Sequence, residues 1–348
     1  MKIRLILLFC LLSLTSQYSY AIKVSGLYQA AVPVNDESTS LRNSALKQAL
    51  IEVLIKLTGD RNINSSSSAE AITDKPERFV QQFRYRQVTY KDGETGPPFE
   101  LLVKFDEVAL NDTMRNYGLT VWGRERPAIL VWMAHEGAEG RQMVSFEDSP
   151  EYLDIMDKRA SARGLSLLFP LLDLEDTAHM NVSDVWGGFK DPIIEASKRY
   201  QADVVLTAKL VQILPTLWES RWTAYIEGQS LSWTTQDEVV DMVLDEGIDE
   251  LADRLASRYA NSGSTQAEVI QLQVSDINNL DEYARTLSYL ESLQSVSSVQ
   301  VKHVFSDKVL FEIISHGGQT VISQAINLGK TLEPVSNGEN MNYRLLPR

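Results

Sequence analysis

His135, Asp173, Glu175 and Asp176 are the residues of this sequence whose types and positions could do chemistry. An imidazole facing carboxylates can move a proton or grip a polar ligand. His135 follows the apolar run Ala128–Met133. Asp173–Asp176 follows a second short run, Ser166–Phe169, which Pro170 closes. If both runs are parallel strands, both polar groups stand in loops at the carboxyl ends, where open α/β sheets bind their ligands. His135, Asp173, Glu175 and Asp176 are therefore the tentative ligand-binding set. The pointer is weak, because such loops are polar in any protein, and 47 acidic residues produce carboxylate pairs without purpose.

No catalytic residues are assigned. His135-Glu136 opens like a zinc-protease helix motif, but the fourth residue after His135 is Glu139, and the segment reads as a loop. His179, His303 and His316 are scattered. No G-x-S-x-G elbow, P-loop or G-x-G-x-x-G is present. Cys10 is the single cysteine, which leaves the rest of the chain without disulfides, a thiol nucleophile or a thiolate metal site. Neither a metal nor a cofactor is expected.

The elements that would position these residues lie in Arg163–Trp233. Val204–Ile213 is almost continuously apolar and ends at Pro215, as expected of a strand covered on both faces. Trp218, Ser220, Trp222, Ala224 and Ile226 share one parity of a half-buried strand, and Gly228 turns the chain into a return strand bearing Leu231 and Trp233. The three tryptophans could be a stacking platform. A sheet face packed under a helix is the plainer reading. That helix is marked by Val240, Leu244, Ile248, Leu251, Leu255 and Tyr259. Its other side carries Asp241, Asp245, Glu246, Asp249 and Glu250, read as a solvated acidic face rather than a cation site.

Further out, 348 residues at 44% hydrophobic content suit two or three globular domains. Lys2 and Arg4, the apolar run Leu5–Leu14 and Ser19-Tyr20-Ala21 make a secretory signal peptide, residues 1–21. Cys10 has no lipoprotein cleavage box around it. Without Lys2 and Arg4, 31 basic residues face 47 acidic ones, a formal charge of −16. That charge argues against nucleic acid and anionic lipid as partners. No later run is long enough for a membrane helix.

An amino-terminal α+β domain spans residues 22–124. It includes a strand at Leu27–Val34, a helix at Leu41–Leu57 ended by Gly59, a Ser/Asn-rich loop at Asn62–Ser68, and Asp106 capping a further helix. Arg124–Pro127 reads as a linker. A central α/β layer domain spans 125–264, with a mostly parallel sheet and an antiparallel meander. Asn261–Thr265 reads as a second linker. Residues 265–348 run strand-helix-strand-strand-helix-strand, the ferredoxin-like order, with Leu280, Tyr283, Leu287, Leu290, Val301, Val304, Val309, Phe311 and Ile313 as its apolar set. Asn337–Asn342 is expected to be mobile.

The segments SGLYQAAVPV, LTGD, GLTVWGRERPAILVW, RGLSLLFPLLDLED and SKRYQADVVL together resemble the secreted proteobacterial family carrying domain of unknown function 2066, over most of residues 25–260. The resemblance implies a Gram-negative periplasmic setting and assigns no activity or functional residue. In plan, the first domain is similar to the amino-terminal domain of flagellar assembly protein T. The central domain is similar to the TolB amino terminus and the curli secretion lipoprotein. These likenesses imply an envelope interaction or assembly factor. The expectation is thus a periplasmic, non-enzymatic factor with an unidentified envelope protein partner. The alternative is a small-ligand-binding protein using the crevice at His135 and Asp173–Asp176, and a hydrolase is third.

Overall fold

The structure is a computed structural model that describes residues 26–90, 95–260, 267–335 and 341–347. The signal-peptide residues and the Asn261–Thr265 linker lie outside the described residues. The fold is mixed α/β and holds three sheets.

The first sheet has the order β1-β3-β2, all antiparallel: β1 (Gln29–Val34), β2 (Val80–Gln87) and β3 (Phe99–Phe105). Helix α1 (Thr39–Thr58) covers it with Leu46, Leu50, Val53, Leu54 and Leu57, all buried. Gly59 stops α1 in the left-handed conformation at φ 73°. Asn62–Ser68 is not an open loop. Buried Ile63 pins a 3₁₀ turn at Ile63–Ser65, and α2 (Ser67–Thr73) starts within the segment. Asp106 caps α3 (Glu107–Asn116) by accepting from the Ala109 amide at 2.9 Å.

The middle sheet runs β5-β4-β7-β8-β9, with β6 beside β4. Its strands are β4 (Ile129–Gly137), β5 (Gly140–Met143), β6 (Leu167–Leu168), β7 (Val204–Leu214), β8 (Leu217–Ile226) and β9 (Gln229–Asp237). It is not mostly parallel. Only β4–β7 and the two-residue β4–β6 ladder are parallel, whereas β4–β5, β7–β8 and β8–β9 are antiparallel. Pro170 follows β6 too closely for a long parallel strand, and the chain turns back after Gly137 into β5. Helices cover both faces. Ile129, Val131, Met133, Val204, Leu206 and Ala208 pack beneath α4 (Pro150–Ala162) and α8 (Val240–Tyr259). Leu130, Trp132, Ala134 and Val205 pack against the opposite layer of α5 (Leu174–His179), α6 (Val182–Gly187) and α7 (Lys190–Ser197). Trp222 and Trp233 stack at 6.2 Å in the core under α8, as the plainer reading expected.

The third sheet runs β11-β12-β10-β14-β13. The chain order is β10 (Ala267–Ser275), α9 (Leu280–Ser292), β11 (Val296–Val304), β12 (Lys308–His316), α10 (Gly318–Leu328), β13 (Leu332–Pro334) and β14 (Asn342–Leu345). The short β14 slots between β10 and β13 and runs parallel to β10. Tyr283, Leu287, Leu290, Val309, Phe311 and Ile313 belong to this core or pack on it. Leu280, Val301 and Val304 do not, and stand exposed, because α9 begins at Leu280 and β11 is an edge strand. Met341 is buried and Asn342 enters β14, so that end of the Asn337–Asn342 segment is fixed. The remainder lies outside the described residues. Among the described residues no helix is long and apolar enough to cross a membrane.

Candidate functional site

The tentative ligand set does not converge. His135-Glu136-Gly137 is the end of β4, hydrogen-bonded in register to β5 and β7, not a loop. Strand alternation puts His135 on the α4 side, where its ring meets Tyr152 edge-on at 5.7 Å. Asp173 and Asp176 lie on the other side of the sheet, around α5. Asp173 caps α5, accepting from the amides of Glu175 and Asp176. Arg199 donates to Asp173 and Asp176 at 2.8 and 3.0 Å, and Glu175 lies 3.5 Å from it. Tyr200 donates its hydroxyl to Asp176 at 2.6 Å. The Arg199 guanidinium, with the α5 amides, holds the Asp173 carboxyl down to about 2. Asp173 and Asp176 thus form a latch that ties the start of α5 to the turn just after α7, while Glu175 stays largely exposed.

The acidic side of α8 is solvated only in part: Asp241 and Glu246 are exposed, but Asp249 is buried. Asp249 is 3% exposed and accepts from Arg159 and from Arg163, the latter at 2.8 Å. Arg163 is itself 2% exposed and also donates to Asp253 at 2.6 Å and to the Gly59 carbonyl at 2.8 Å. Arg61 reaches across from the first part of the chain to Asp253 at 2.7 Å, Glu246 at 3.0 Å and Glu250 at 3.1 Å. Burial raises the Asp249 carboxyl, but the two guanidiniums outweigh it and its pKa is lowered. This cluster joins the first and middle sheets. Among the described residues no group of three or more His, Cys, Asp or Glu side chains could hold a metal ion.

The expected linker Arg124–Pro127 is also no free tether. Arg126 is buried, lies 3.7 Å over the Trp122 ring, and donates to the carbonyls of Lys56, Trp122 and Gly123. Burial pushes its guanidinium down to about 9. Its Nε and Nη2 donate to these three carbonyls, whereas Nη1 is buried without a partner among the described residues.

These welds frame a cleft of about 520 Å³, lined from all three parts of the chain. One wall is the irregular segment Leu119–Gly123 after α3. The second is Tyr259-Ala260 at the end of α8. The third is Leu293–Ser295 together with Val321, Ala325 and Leu328 of α10. Gln294 crosses to the first part and donates to the Tyr28 hydroxyl at 2.6 Å. Burial pushes the Tyr28 phenol up to about 12, so the group stays neutral. The rim charges are paired: Arg115 with Asp112, and Arg124 with Glu107. Trp122 is 2% exposed and its Nε1 has no hydrogen-bond partner among the described residues, nor do Oε1 of Gln294 and Gln324 or Oγ of Ser295. Unpaired buried polar atoms cost about 1–3 kcal/mol each, and these four belong to residues that line the cleft.

Reading the sequence missed this cleft, as well as Arg61, Arg163, Arg199 and Tyr200. Arg199-Tyr200 stands inside the quoted SKRYQADVVL. An arginine and a tyrosine just before a buried strand were the one local sign of the latch. The cleft had no such sign, because its walls lie some 200 residues apart in the sequence.

Residues 21–123 match the family described as Domain of unknown function (DUF8605). No curated protein matches the chain.

Proposed function

We propose that the chain is an exported, periplasmic, non-enzymatic interaction or assembly factor of the Gram-negative envelope, which engages its partner at the cleft between the three sheets. In this reading residues 1–21 are removed, and three domains follow, 22–124, 125–264 and 265–348, the last ferredoxin-like. The likeness to the domain of unknown function 2066 family belongs to the same proposal. The observation that carries it is the cleft itself. Binding sites favour junctions between domains and have volumes of roughly 300–1,000 Å³, and this one has apolar walls, paired rim charges and unpaired inner polar atoms. The His135 and Asp173–Asp176 crevice is set aside, since the sheet separates its members.

Photo-crosslinking in the source cell tests this. A photoreactive amino acid at Val321, in the cleft, should give one discrete protein adduct. The same probe at exposed Val239, at the start of α8, should not. The mature half of the adduct should begin at Ile22. No adduct at Val321, or the same adduct from both positions, would count against the reading.

A further inference from the structure

An edge strand offers its outward amides and carbonyls to any strand that arrives. Water serves these groups in the free chain, so their exposure alone identifies no site. Edges differ in whether strand addition is deterred, by proline, charge, a bulge or shortness. β1 carries Pro33. β2 carries Arg84 and Arg86 and a register shift between Val80 and Gln82. β5 has four residues with Arg141, and β6 has two. β11 carries Lys302 and two register shifts. β13 has three residues, one of them Pro334.

β9 is the exception among the described edges. It has nine residues, and Gln229–Gln236 holds no charge and no proline. Its ladder with β8 is regular from Gln229 to Asp237. Ser230, Leu231, Ser232, Thr234 and Gln236 are exposed. Glu227 at φ 48° and Gly228 at φ 81° make a two-residue hairpin that closes on the Ile226–Gln229 pair. Ladder bonds alternate from that pair, so Ser230, Ser232, Thr234 and Gln236 turn their amides and carbonyls to the free edge.

The strand suits a second copy of itself. With 47 acidic against 33 basic residues, two copies repel unless they meet on an uncharged surface. Antiparallel self-pairing centred on Trp233 sets Ser232 opposite Thr234, Ser230 opposite Gln236 and Asp237 opposite Gln229. Centring on Ser232 would instead put Asp237 against Glu227. The Trp233 register also brings the two Trp233 residues opposite each other, beside the Trp222–Trp233 stack, and aromatic cross-strand pairs are favourable. We propose that β9 is a self-association edge, along which two copies of the chain join antiparallel about a two-fold axis at Trp233. The proposal is independent of the cleft.

Sedimentation velocity on the full chain should show a dimer whose population rises with concentration. Ser232→Lys with Thr234→Lys sets ammonium groups opposite each other twice. It should raise the dimer dissociation constant at least tenfold, with far-UV circular dichroism unchanged. Ser232→Glu with Thr234→Glu should do the same. An equal mixture of the two variants should recover the dimer, which misfolded chains could not do. Gln300→Lys, on β11, should leave the dimer intact. In a Cys10→Ser background, one spin label at Gln229→Cys should report about 27 Å across the dimer, eight residues at about 3.4 Å each. At Val239 a photoadduct of doubled chain mass would come from this edge, and mass tells it from an adduct to another protein. A natural chain that stays monomeric would overturn the proposal, even if a neutral serine- and threonine-rich peptide bound β9, since the occupant would then be another protein. So would a dimer insensitive to the like-charged variants, one lost with Gln300→Lys, or a mixture that fails to recover it.

Discussion

Asp249 does the most at the scale of single residues. It stands where Arg159 of α4 and Arg163, just past the end of α4, meet the middle of α8, and Arg163 carries the link on to the Gly59 carbonyl. Removing one partner of a buried ion pair strands the other without solvent, at a cost of about 3–5 kcal/mol. Asp249→Ala should therefore lower the stability measured by urea unfolding by an amount in that range. A loss under about 1 kcal/mol would show that Asp253 alone satisfies Arg163. The pH dependence follows from the direction of the Asp249 shift. Its folded carboxyl titrates below the unfolded value of about 3.9, so its contribution is complete above that value and fades as the pH falls through the folded one. Acid unfolding should begin at higher pH in Asp249→Asn than in the natural chain, because the variant starts without that contribution and without the acceptor charge. Coincident acid profiles would contradict this account.

Among the elements, α8 is the hinge of the packing, and it was also the most legible from the sequence. Its apolar stripe recurs at three- and four-residue spacing over a helix of five turns or so. β7 was legible for a different reason: its nearly continuous apolar run, ended by Pro215, suits a strand with a helix layer on each face. The short elements were not. α5 and α6 have six residues each, too few to show a period, and β5 is polar and stays paired only because β4 lies beside it. One glycine of α8 shows how tight the fit is. A Cβ at Gly247 would lie 2.1 Å from Cζ2 of Trp222, whose indole donates to Thr235 at 3.0 Å and cannot swing aside freely. Gly247→Ala should destabilise the chain by about 1–3 kcal/mol through overpacking, despite the better helix propensity of alanine. A stabilised variant, by urea midpoint, would mean that the Trp222–Trp233 stack is looser than drawn.

At the scale of the whole molecule, sheet order and the joins between sheets were invisible in the sequence. They depend on single contacts between distant residues: Arg61 with Asp253, Arg163 with Gly59, Gln294 with Tyr28. None belongs to a periodic pattern. Composition marked the chain as acidic and gave reasons against nucleic acid. The polar loops after two apolar runs looked like a site, yet the sheet separates them and arginine neutralises one of them. The cleft came from places that pattern reading passes over, an irregular connection and the outer side of a helix.

The central claim is that the third sheet is held against the first so as to enclose that cleft. With Cys10 replaced by serine the chain holds no other cysteine, so paired spin labels can be placed without background. Labels at Asn116→Cys, at the end of α3 on the cleft rim, and Thr320→Cys, exposed on α10 beside cleft-lining Val321, report the spacing across the cleft. Pulsed electron-spin distance measurement on the full chain should give one narrow distribution. A broad distribution extending to long distances would show that the third sheet is not docked there, and the account of the cleft would fail.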